Sequence, residues 1–143
     1  MTPTSLEAQI RTAALAFPGL TAFLGGTDPN AFRWFDTQLL QGAAFPAVVV
    51  SIISDPQDYV FERRLVTSWQ RVQFDIWSYD PEQGYQIQEE IAAFLDQFNG
   101  YGTPNLVQYA NQIVNVRKVL WPEPGPPQYQ RIIDVKMFFN STS

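Results

Sequence analysis

Catalysis by Ser–His–Asp or Cys–His groups needs residue types that this sequence lacks. It contains no histidine and no cysteine, which removes the common general base, the thiolate nucleophile and a His-based zinc site together. The carboxylates are poorly arranged for shared-proton chemistry. Glu89 and Glu90 are adjacent on an expected helix and point in different directions, as on a solvated face. Asp55 and Asp58 flank a turn, where aspartate is favoured for local backbone hydrogen bonds. The calcium-loop pattern with its closing glutamate is absent. Gly25-Gly26-Thr27 lacks the Lys-Ser/Thr of a phosphate loop, and Asn140-Ser141-Thr142 matches the glycosylation pattern in a chain with no secretion signal. The expectation is a protein that is not an enzyme and holds neither cofactor nor metal.

Three groups of residues remain as surface chemistry. Arg63-Arg64 lies in a long hairpin connection beside Tyr59 and Phe61. Either it keeps a loop tip soluble, or it forms an arm across a neighbouring subunit, with aromatics anchoring and arginines pairing to carboxylates. Trp69 and Trp77 sit on one face of the stretch that continues through "RVQFDIWSY". Were helices to cover that face, Arg71, Gln73 and Asp75 would be buried with them, which is costly unless each is paired. Val72, Phe74 and Ile76 are the better core set, leaving the tryptophan face for water or a partner. Trp121 opens "WPEPGPP", a turn that proline either merely stiffens or turns into a preformed contact point. Tyr59, Phe61, Arg63, Arg64, Trp69, Arg71, Trp77 and Trp121 are thus the candidate protein-interface residues.

Composition agrees with an interacting rather than a catalytic chain. The 143 residues are 45% hydrophobic and 16% charged, as expected of one globular domain over 1–143 that buries about two thirds of its unfolded surface. Aromatics at 15% fit a protein with extensive interfaces. The net charge of −5, with lysine only at 118 and 136, disfavours a phosphate grip on nucleic acid. No signal peptide and no membrane-spanning run is expected, so the chain reads as cytosolic when made.

The elements that position these residues can be read in order. Thr4-Ser5-Leu6-Glu7 fits a capping box for a helix over roughly 5–16. Pro18-Gly19 breaks it, and "LTAFL" adds one more short turn before Gly25-Gly26. Residues 27–42 fit either a short strand or a loop stapled by aromatics. "AVVVSIIS" reads as a strand buried on both faces, followed after a long connection by a strand from about 65 to 79. Asp80-Pro81-Glu82 starts a helix whose stripe is Ile87, Ile91, Phe94, Leu95 and Phe98, closed by Asn99-Gly100. "QIVNVRKVLW" and "YQRIIDVKMFFN" form a final hairpin. In the last strand Ile133, Val135, Met137 and Phe139 share one face, and Ile132, Asp134, Lys136 and Phe138 the other. The fold class is α+β: an antiparallel sheet of about four strands with two main helices on one face.

An N-terminal helix, "FPAVVVSIIS", then "RVQFDIWSY" running into "DPEQGYQIQEEIAAFLDQFNG", and a proline turn before "YQRIIDVKMFF" together resemble the tail completion and tail terminator proteins of tailed bacteriophages, which include tail-to-head joining proteins. The resemblance covers most of the chain, best over 46–98; residues 27–42 and 55–64 contribute nothing to it. It implies a structural virion protein that forms a hexameric ring at the head-proximal end of the tail, stops tube growth and meets the tail tube protein and the head–tail connector. It also implies that double-stranded DNA passes through the lumen without specific binding, which an acidic or neutral lining would ease. No catalytic residues carry over. The competing readings are another neck or minor tail subunit of the same architecture, or a small-ligand-binding α+β domain with Trp69 and Trp77 lining a pocket.

Overall fold

Strict alternation in the stretch around Phe74 dictates a strand with two unlike faces, and the rest of the molecule is arranged about it. The computed structural model describes residues 5–39, 42, 44–54, 59–60, 63–64, 67–103, 106–122 and 127–141. In chain order these form α1 (Leu6–Leu15), α2 (Pro18–Thr21), β1 (Trp34–Asp36), β2 (Ala47–Ser54), β3 (Tyr59–Val60), β4 (Arg63–Arg64), β5 (Thr67–Ser78), α3 (Pro81–Gln97), β6 (Gly102–Thr103), β7 (Leu106–Trp121) and β8 (Gln128–Ser141).

The main sheet has the order β1-β2-β5-β8-β7-β6. β2, β5, β8 and β7 are the expected four long antiparallel strands. Two short strands extend them: β1 adds to β2 in parallel, and β6 covers only the start of β7. β8 therefore lies between β5 and β7 rather than at an edge. β3 and β4 pair as a small separate ribbon within the connection from β2 to β5.

Helices cover one face only. Val72, Phe74 and Ile76 of β5 join Val48 and Val50 of β2 and Ile133, Val135, Met137 and Phe139 of β8 in a single core. Ile10 and Ala14 of α1 and Ile87, Ile91, Phe94 and Leu95 of α3 close it from above. The periodicity of each segment is thus realised, and the α+β class with helices on one face holds.

Several local readings need correction. The cap of α1 is Ser5, whose hydroxyl accepts from the Ala8 amide at 3.2 Å. The expected box on Thr4 is one residue early, because the first fixed helical residue is Leu6. Pro18 begins α2 rather than only breaking α1: proline at the first helical position gives up an amide that no helix would use. Residues 34–36 adopt the strand alternative. β7 begins at Leu106, six residues before the expected start, because Gln108 and Asn111 interrupt the apolar alternation of residues 106–111. The far end of β7 is where it was expected, at Trp121, immediately before the proline turn.

Two features tie the termini of these elements down. Gly25 turns back with φ +107°, and a Cβ there would collide with the Ala31 carbonyl oxygen. This close approach lets the Arg33 amide reach the Leu24 carbonyl at 2.7 Å and delivers Trp34 to the core. α3 has an N-cap at Asp80, whose carboxylate accepts from the Glu82 amide at 3.0 Å. Its C-terminal end carries no basic residue. Instead Asn111 Nδ2 donates to the Leu95 and Phe98 carbonyls at 2.8 and 2.9 Å, and Gln108 Nε2 to that of Phe98 at 2.8 Å. Side-chain amides of β7 thus occupy carbonyls that a helix end leaves open.

Candidate interaction surface

Because successive strand residues point to opposite sides, the partners of the core residues define a second face: Trp69, Arg71, Gln73, Asp75 and Trp77 of β5, Gln130, Ile132, Asp134, Lys136 and Phe138 of β8, and Ala110, Gln112, Asn115, Arg117, Val119 and Trp121 of β7. None of the three helices lies over it. The expected outward direction of the tryptophans is what the structure has.

One end of this face is aromatic. Trp77 and Trp121 come from strands on either side of β8, and their rings meet above it with centroids 6.4 Å apart. Trp121 Nε1 donates to Gln130 Oε1 at 3.0 Å, so the glutamine beneath holds the indole. Phe45 extends the cluster to Trp77 at 6.1 Å and to the exposed Tyr79 at 4.8 Å. At the other end Lys136 Nζ stands 4.7 Å over the Trp69 ring, a cation–π arrangement, and Phe138 packs near Tyr109.

Between the two ends lies a charge cluster that the sequence pattern did not reveal. Asp134 is wholly shielded from solvent although no helix covers it. Two long side chains of the flanking strands reach in to it. Arg71 Nη2 is 3.1 Å and Arg117 Nη2 3.7 Å from Asp134 Oδ2. These are ion-pair distances without hydrogen-bond alignment, and Oδ1 has no hydrogen-bond partner among the described residues. Asp75, half-buried beside it, has its carboxyl raised above the ordinary 3.8 by burial first. A hydrogen bond from Gln73, 2.9 Å long, works against that rise, and the Asp134 carboxylate adds to it. The signal available in the sequence was Asp134 sitting mid-strand between Ile and Val, a position where an ionised group must be paired.

Of the candidate interface residues, the structure gathers Trp69, Arg71, Trp77 and Trp121 on this one face. Tyr59 belongs to β3, and Arg63 and Arg64 to β4; their side chains, and Phe61 altogether, lie outside the described residues. The tryptophans do not line a common pocket. Eight residues separate Trp69 from Trp77 along one strand, which places them roughly 26 Å apart at about 3.3 Å per residue. Two described clefts, of about 200 and 170 Å³, are lined by other residues: Phe17, Phe94, Phe98 and Tyr101 in one, and Lys118, Leu120, Tyr129 and Arg131 in the other. Among the described residues no group of three or more acidic ligands could hold a metal ion, and no helix is long and apolar enough to cross a membrane.

The arrangement offers broad contact chemistry: aromatic anchors at both ends and guanidinium groups between them. No family model and no curated protein matches the chain. Among solved structures, a chain of the virion of a native gene transfer agent (GTA) particle is similar over 95% of both chains, with a TM-score of 0.64 at 9% sequence identity, so the two share a fold.

Proposed function

We propose that this chain is a structural subunit of a phage-like virion, forming a homohexameric ring at the head-proximal end of the tail that ends tube growth and joins the tail to the head connector. The observation that carries the reading is the fold shared over 95% of both chains with a chain of a gene transfer agent virion. The contact-rich second face of the sheet is consistent with it. A ring subunit meets two lateral neighbours through unlike surfaces, as well as the tail tube protein below and the connector above. DNA passes through such a ring without specific binding, and the subunit enters the virion from the host cytoplasm.

The shared fold serves equally for another neck or minor tail subunit, which differs only in position. Immunogold labelling of purified particles separates these readings. Label confined to the tail–head junction is the expected result. Label elsewhere on the particle, or particles that lack the protein, would overturn the placement, as would a deletion mutant whose tails keep normal length and join heads.

A further inference from the structure

β7 is an edge strand for most of its length. β6 pairs only with Leu106 and Val107, and Gly100 and Tyr101 add backbone hydrogen bonds to Gln108. Beyond that, the outer side of β7 has no strand partner among the described residues, and residues 112–118 are all exposed. The edge exposes apolar groups on the helix side, Ile113, Val116 and Leu120, with Val114 at a bulge. Long apolar edges are template sites for association unless covered or charged.

The charge on this edge is of one sign. Residues 106–121 include Arg117 and Lys118 and no carboxylate; Arg117 is drawn to Asp134 at 3.7 Å on the helix-free face, so Lys118 is the cation this edge offers on the helix side. Lys118 stands directly across from Arg131 in the β7–β8 register, a like-charge pair that is destabilising without an anion between. Two copies of β7 placed edge to edge would offer each other no opposite charge, which gives a symmetric joint no electrostatic complement.

The opposite edge of the same sheet has the reverse character. Asp36 of β1 is exposed, and its carboxyl is raised above 3.8 by burial first and then by the nearby Glu7, with Arg11 opposing. The two arginines of that region are held on backbone carbonyls. Arg11 bonds Trp34 O at 3.2 Å and Pro29 O at 2.7 Å; Arg33 bonds Pro46 O at 2.7 Å and Phe23 O at 3.0 Å. Glu7 and Asp36 thus form an under-compensated acidic pair at the edge opposite β7.

From this complementarity we infer that copies of the chain join head to tail, the basic apolar edge of β7 in one copy seated on the Glu7–Asp36 edge of the next. Because the Arg11 bond to Trp34 O closes the outer side of β1, side chains rather than a continued sheet form the joint. The inference rests on the proposed function for the second copy as occupant. A joint between unlike edges repeats in one sense and closes into a ring or runs into a filament.

The test is a charge exchange followed by sedimentation velocity over a range of protein and salt concentrations. Lys118→Glu and Asp36→Lys each alter an exposed residue outside the core, and thermal melts verify that each variant folds. Each single variant is expected to weaken association by about tenfold or more, and Lys118→Glu/Asp36→Lys together to recover most of it, as for paired charges across an interface. Leu120→Asn, on the same edge, should also weaken it. Assembly of the parent that the variants leave unchanged would overturn this joint and leave self-assembly standing. A parent chain that stays monomeric at every concentration would overturn the joint and self-assembly alike. Unchanged association with reduced binding of Lys118→Glu to a double-stranded DNA fragment, or to isolated tail tubes, would assign the edge to that partner and overturn the second copy as its occupant. Particle labelling judges the virion placement independently of all these outcomes.

Discussion

Asp134 is completely shielded from solvent and lies 3.1 Å from the guanidinium of Arg71, on the sheet face that bears no helix. The carboxylate is central and the arginine is half-exposed, so the pair is asymmetric in what each member loses when separated. Removing one partner of a buried pair costs about 3–5 kcal/mol, and with Arg117 still close to Asp134 we expect Arg71→Met to cost about 2 kcal/mol. Urea titration of the parent, Arg71→Met and Arg71→Met/Asp134→Leu measures this. The double variant should recover most of the loss, because an apolar replacement removes the unpaired charge along with its partner.

Asp75 provides a pH dependence of opposite sense to ordinary acid denaturation. Its folded carboxyl titrates above the ordinary 3.8, through burial first. Where the folded state holds a proton and the unfolded state does not, stability falls as pH rises. This contribution is therefore full below 3.8 and is lost as pH climbs through the raised folded value. Asp75→Asn keeps an oxygen for the Gln73 amide and should stabilise the chain at neutral pH by up to about 1 kcal/mol after solvent screening. Melting temperatures of parent and variant should converge on acidification. A variant that tracks the parent at every pH would contradict the assignment.

Asn111 closes the end of α3 through two carbonyls. Asn111→Ala leaves both without that donor and should cost about 2 kcal/mol, at roughly 1 kcal/mol per lost hydrogen bond. Amide exchange should accelerate mainly in the last turn of α3 and little in its first, where Asp80 still caps.

Tryptophan fluorescence reports on the helix-free face directly. Trp34 is buried in the core, whereas Trp121 is 47% exposed and Trp69 and Trp77 are half-buried. Acrylamide should quench a substantial fraction of the emission of the free chain. If the proposed virion role holds, incorporation into particles removes most of that accessible fraction and shifts the emission to the blue. Unchanged quenching on incorporation would show that this face stays open to water, and would exclude Trp69, Trp77 and Trp121 from the contacts.

Much of the architecture was legible because both relevant periods were clean. Alternation in β5 and β8 assigned Val72, Phe74, Ile76, Ile133, Val135 and Met137 to one face, and the stripe of α3 met them there. The cost of burying Arg71 and Asp75 correctly turned Trp69 and Trp77 away from the helices. What failed to show was long-range. Nothing local announces that β8 enters between β5 and β7, so the meeting of Asp134 with Arg71 and of Trp77 with Trp121 could not be read from either strand. The start of β7 was missed because Gln108 and Asn111, which serve the end of α3, interrupt the apolar alternation there.

The central position of β8 also bears on how the protein is made. Residues 128–141 leave the ribosome after β5 and β7, yet both strands depend on them for pairing. Domains generally fold as units as the chain emerges. A ribosome-bound chain that still lacks β8 therefore has a bare side on β5, no partner along most of β7 and a core without Ile133, Val135, Met137 and Phe139. The helix-free face, which β5, β8 and β7 build together, therefore takes shape only once residues 128–141 have paired on both sides.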